Sequence, residues 1–181
     1  MSRLGKRPVQ LPDGVDAQIE GKKVRIVGKK GEKTLVLDQS FSVNLIDGAL
    51  QVIPESQNMD REERAKFGLY RALIQNTVQG LSTGFQKVLV LKGIGYRVQK
   101  KGASLSFSLG YSHPVDFDAP NGIEFKVEGQ NKIVLESSDK ELLGQTCAEI
   151  IGLRKRDDYK GKGIYFEGEN ISLKPGKSLK K

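Results

Sequence analysis

The stretch Arg154-Lys155-Arg156-Asp157-Asp158-Tyr159-Lys160-Gly161-Lys162-Gly163-Ile164-Tyr165-Phe166 gathers the most suggestive chemistry in the chain. Three cations precede two carboxylates, and two lysines then alternate with two glycines. Lysine and arginine suit phosphate contacts, and a glycine lets backbone N–H groups approach a surface with no Cβ in the way. Tyr159, Tyr165 and Phe166 supply rings that either stack on a base or pack inward. Phosphate contact with positioning by bare backbone fits shaped RNA better than base-by-base reading of DNA. A second reading stays open, in which the segment is a glycine-rich connection between strands with solvated lysines.

Elsewhere the reactive residue types are sparse. His113 is the only histidine and Cys147 the only cysteine, so an internal disulfide is excluded and a zinc site lacks ligands. Gly110-Tyr111-Ser112-His113-Pro114 reads as a turn between strands, because proline ends strand pairing. Gly93-Ile94-Gly95 begins like a dinucleotide fingerprint, but it lacks the third glycine and leads into a strand instead of a helix. Pro175-Gly176-Lys177-Ser178 imitates the end of a P-loop. Ile171 stands where its first glycine is needed, and no helix is expected after it. The carboxylates are scattered over turns and helix faces. No catalytic constellation, cofactor, metal or small-molecule substrate is expected, and neither His113 nor Cys147 is expected to do chemistry.

Charge points the same way. The net charge is +8, with 37% apolar and 29% charged residues and no apolar run of about 18. The opening Met1–Pro8 carries charge with no apolar stretch behind it, so no secretory signal is expected. The single cysteine suits a reducing compartment. Residues 1–84 are net +3 and residues 85–153 are neutral, whereas residues 154–181 carry 9 basic and 4 acidic side chains. A basic end on a nearly neutral body fits a polyanion partner, and a solubilising tail fits equally well.

The elements that must position these residues repeat. Val24–Gly31 followed by Leu35-Val36-Leu37 resembles Tyr96–Gly102 followed by Leu105–Leu109; each reads as a hairpin with a Lys-Lys-Gly turn. A second hairpin with an acid–glycine turn surrounds Asp47-Gly48 and recurs around Glu128-Gly129. Capping boxes are expected at Asp60 with Glu63 and at Ser138 with Glu141. Phe67, Tyr70, Ile74, Val78 and Leu81 then fall at helical spacing, as do Leu143, Cys147, Ile150 and Leu153. Both helical runs close on Gly-Leu, 72 positions apart, the offset that also separates Arg25 from Arg97. The fold class expected is α+β: two tandem copies of a small antiparallel sheet with one helix. The expected boundaries are 1–82, 83–166 and a basic tail, 167–181.

The segment Asp158–Ile164 resembles the signature of the bacterial large-subunit ribosomal protein L6 family. "MSRLGKRPV", "LKGIGYRV" (Leu91–Val98), "LGYSHPV" (Leu109–Val115) and "KELLGQ" (Lys140–Gln145) resemble further blocks of that family, in the right order. Members often carry Ser-Pro-Glu-Pro where this chain has Lys155-Arg156-Asp157-Asp158, a departure at the entry to the loop. The resemblance implies a duplicated fold without catalytic activity, in the cytoplasmic ribosome. It implies binding to 23S rRNA, mainly through the second domain, near the sarcin–ricin loop, beside neighbouring large-subunit proteins at the stalk base. Carried onto this chain, the rRNA contacts fall on Arg154, Lys155, Arg156, Tyr159, Lys160, Gly161, Lys162 and Gly163. Lys174, Lys177, Lys180 and Lys181 extend them, with Lys92 and Arg97 beside them and Arg3, Lys6 and Arg7 at the other end. A free-standing RNA-binding or protein-interaction module, and an enzyme with an unobvious carboxylate site, are the rival readings.

Overall fold

A computed structural model describes residues 5–56 and 58–176. The chain divides after Gly84 into two compact units. In the first, β1 (Val9–Gln10), β2 (Asp16–Glu20), β3 (Lys23–Gly28), β4 (Gly31–Val36), β5 (Phe41–Ile46) and β6 (Ala49–Pro54) precede α1 (Arg61–Ser82). β2, β3 and β4 form an antiparallel meander, while β6 pairs with both β5 and β1. Alternation along β3 buries Val24 and Ile26 and turns Lys23 and Arg25 to water. Phe67, Ile74, Val78 and Leu81 of α1 meet them in one core, with the Phe41 and Phe67 rings stacked at 6.2 Å. The expected capping box is present: Asp60 accepts the Glu63 N–H at 2.7 Å, and Glu63 accepts the Asp60 N–H at 3.0 Å.

The second unit has the same order. β7 (Phe85–Lys92) leads to the meander β8 (Arg97–Lys101), β9 (Ser104–Ser108) and β10 (Val115–Asp118). The hairpin β11 (Glu124–Glu128) and β12 (Lys132–Ser137) follows, then α2 (Lys140–Leu153). Leu143, Cys147 and Ile150 of α2 pack against Leu89, Leu105, Phe107, Ile133 and Leu135. The α+β class and the duplication expected from the sequence are therefore observed.

Two local expectations differ. The first Lys-Lys-Gly turn follows the central strand β3, whereas the second precedes the central strand β9. The matched hairpins therefore lie one strand out of step, because either turn of a meander can use the same residues. The hairpins β5–β6 and β11–β12 do occupy equivalent places. Similarly, α2 is capped by Asp139 and not Ser138: the Asp139 carboxylate accepts the Glu141 N–H at 3.0 Å. Ser137 completes this corner by donating to the Gly122 carbonyl and accepting the Asp139 N–H.

The second unit also has a strand with no counterpart among the described residues of the first. β13 (Gly163–Phe166) adds to the free side of β7, pairing Gly163 with Lys92 and Ile164 with Leu91. Burying Ile164 completely fixes the far end of the connection that leaves α2. The basic segment exists as a loop because β13 must return to this sheet.

Cys147 is fully buried, and removal from water pushes its thiol up to about 11. A thiol this reluctant to ionise is a packing residue. Cys147→Ala is expected to lower stability by about 1–2 kcal/mol, read from denaturant unfolding, by leaving a small void.

Candidate nucleic-acid interface

The connection from α2 to β13 is braced from within. The Ile164 N–H donates to the Arg154 carbonyl at 3.0 Å, and the Asp157 N–H to the Lys162 carbonyl at 2.8 Å. Asp157 closes the turn twice more: its carbonyl accepts the Gly161 N–H at 2.9 Å and its carboxylate the Lys160 N–H at 2.8 Å. Asp158 holds the following tail, accepting the Lys174 N–H at 2.9 Å and the Lys174 ammonium at 2.7 Å. Its carboxyl is lowered from the ordinary aspartate value, first by that hydrogen bond. The two adjacent acids are thus structural braces.

The glycines serve the loop itself. Gly161 and Gly163 are buried, so neither offers open backbone to an approaching ligand, contrary to the sequence expectation. At Gly163 a Cβ would lie 2.5 Å from the Arg156 Cα, and φ is +147°, a region that suits glycine. At Gly161 a Cβ would meet Leu173 of the tail at 3.3 Å. Close approach is required here, but between two strands of the same loop.

The predicted cations fall into separate groups. Lys155 and Lys160 are exposed, Lys162 is half-buried, and Lys92 is exposed on β7 opposite Gly163. None of the four has an ion-pair partner among the described residues. Arg156 instead pairs with Glu169 at 3.0 Å, and Lys174 with Asp158. Arg154 lies 4.9 Å from the centre of the Tyr111 ring and donates to the Tyr96 hydroxyl at 3.2 Å. Those two tyrosines, Tyr111 first, raise its pKa and hold the guanidinium charged. Tyr96 and Tyr111 were not among the expected site residues. Their "GIGYR" and "GYSHP" settings signal turns but not a shared guanidinium.

The remaining expectations are placed as follows. Tyr159 keeps 59% of its surface exposed, while Tyr165 and Phe166 are half-buried in β13 and Phe166 packs on the core. Arg97 is exposed on β8 and lines a different polar groove with Gln99, Lys101 and Ser106. Lys6 and Arg7 are exposed in the first unit. Arg3, Lys177, Lys180 and Lys181 lie outside the described residues. Among the described residues, no group of three or more His, Cys, Asp or Glu side chains could hold a metal, and no helix is long and apolar enough to cross a membrane.

Two copies of one α+β domain, the second presenting cations from a self-braced loop, make this a duplicated-domain protein. A model of the ribosomal protein L6 family matches it twice, over residues 11–84 and 92–167. The large ribosomal subunit protein uL6 of Synechococcus sp. (strain RCC307) is 45% identical over 181 residues, covering both chains completely. The protein of the same name from Coprothermobacter proteolyticus is also 45% identical, over all of this chain and 99% of its own. The chain belongs to the ribosomal protein L6 family, and so is a ribosomal protein rather than an enzyme.

Proposed function

We propose that the chain is a constituent of the large ribosomal subunit that binds 23S rRNA through the loop Arg154–Gly163 of its second domain. The observation that carries this reading is the set Lys92, Lys155, Lys160 and Lys162, four cations on or beside the braced connection that have no ion-pair partner among the described residues. With no carboxylate partner among the described residues, these four ammonium groups are left for an external anion. Arg154, Arg156 and Lys174 work one step back, fixing the loop and tail that present the lysines. Tyr159 stands ready to stack. Arg97 extends the contact over the neighbouring sheet.

The division of labour follows: residues 1–82 form one domain, 83–166 the main rRNA-binding domain, and 167–181 a basic tail. A position near the sarcin–ricin loop and the stalk base, beside neighbouring large-subunit proteins, is the placement that family membership supports. A tagged chain expressed in a bacterium is expected to sediment with large subunits and to stay there in moderately high salt. Recovery only in the slow, subunit-free fractions would contradict the proposal and favour a free-standing module.

A further inference from the structure

We infer that the cleft at the C-terminal end of α2 takes one unpaired nucleobase, splayed out of the strand whose phosphates the basic loop contacts. This pocket presupposes the rRNA-binding reading above and adds a base to its phosphates. Its volume is about 390 Å3, and its walls include Tyr96, Tyr111, Arg154, Lys155, Asp157 and Lys162. That size falls in the range of roughly 300–1,000 Å3 that small-ligand sites occupy.

The platform is set before anything binds. Tyr111 donates its hydroxyl proton to the Leu153 carbonyl at 3.0 Å, which pins the ring to the end of α2. Arg154 lies against that ring and is held from the side by Tyr96. A flat guanidinium backed by an aromatic face is a surface on which an unstacked base settles, with little ordering left to do. Lys155 and Lys162 flank the cleft with no ion-pair partner among the described residues, where the nucleotide's own phosphates would lie.

Asp157 supplies a preference. One of its carboxylate oxygens accepts the Lys160 N–H, and the other accepts no hydrogen bond among the described residues. A carboxylate only accepts, so it favours a base edge that carries an amino group. Adenine and cytosine present one, as does guanine, whereas uracil's single edge donor, its ring N3–H, is flanked by two carbonyl oxygens that a carboxylate repels.

The test uses the full chain with oligo(A), oligo(C) and oligo(U) of equal length at fixed salt. Ring resonances of Tyr96 and Tyr111 are followed by NMR alongside the affinity. Oligo(A) and oligo(C) are expected to shift both rings and to bind about tenfold tighter than oligo(U), the size of one hydrogen bond to a charged group. Asp157→Asn keeps a carbonyl for the Lys160 N–H and offers a donor in place of the spare acceptor, so the preference should vanish or reverse. Equal affinities, unmoved rings, or a preference that survives Asp157→Asn would each overturn the cleft. Binding to a folded rRNA fragment, measured in the same buffer, separates the two levels. Its retention with a silent cleft removes the base pocket alone, whereas its absence removes the rRNA reading beneath it.

Discussion

Gly163→Val is expected to detach β13 from the second domain's sheet and to cost more than about 3 kcal/mol of that domain's stability. The new Cβ would fall 2.5 Å from the Arg156 Cα, 2.7 Å from its nitrogen and 2.9 Å from the Lys155 carbonyl carbon. All three atoms belong to backbone, so no side chain can swing away. The φ of +147° adds strain for any branched residue. Relief requires the loop to move off Gly163, and that breaks the bond from Ile164 to Arg154 and exposes the fully buried Ile164. Denaturant unfolding with hydrogen exchange at Ile164 reads both effects. Gly144→Ala is the control: its site is open within 4 Å, and alanine there should stabilise α2 by about 0.5–1 kcal/mol. A Gly163→Val protein as stable as the parent would show that the loop does not need its close crossing.

Elements specified by neighbouring residues were legible in the sequence. Asp60 and Glu63 satisfy each other across one turn, so their spacing alone announces the start of α1. The helical faces ending at Leu81 and Leu153 were equally plain, since a 3.6-residue period needs no tertiary information. Which strand is central in a meander is decided by pairing with both neighbours. The Lys-Lys-Gly turns carried no record of that, and the hairpin match slipped by one strand. The cap of α2 slipped by one residue for a related reason. Ser138 and Asp139 are both good caps, and Ser137 at the corner with Gly122 favours the second.

The loop shows a different limit. Its composition announced an unusual connection, but glycine looks the same in sequence whether it opens backbone to a ligand or to its own chain. Gly161 and Gly163 turned out to face inward. Cations are equally mute about their partners. Arg156 is spent on Glu169, 13 residues away, and Arg154 donates to Tyr96, 58 residues away. Only the folded sheet, with β13 beside β7, separates these braces from the lysines that remain free.

The largest functional effect is therefore expected from the free lysines, and not from Arg154 and Arg156, which open the sequence motif. Changing Lys92, Lys155, Lys160 and Lys162 together to alanine removes four positive charges and no ion pair or hydrogen bond made by those side chains among the described residues. The fold should survive, because both cores are built from strand and helix apolar faces. Each lost phosphate contact should flatten the dependence of log affinity on log salt by about 0.7–0.9, roughly 3 for the four together. Arg154→Ala, in contrast, should weaken binding together with stability, since it strips the support from Tyr96 and Tyr111. The decisive measurement is binding of the quadruple variant to a large-subunit rRNA fragment across a salt series, with a thermal melt of the same sample. A parental melt with a much weaker, flatter salt dependence is the expected result; an unchanged affinity and slope would contradict rRNA binding by this loop.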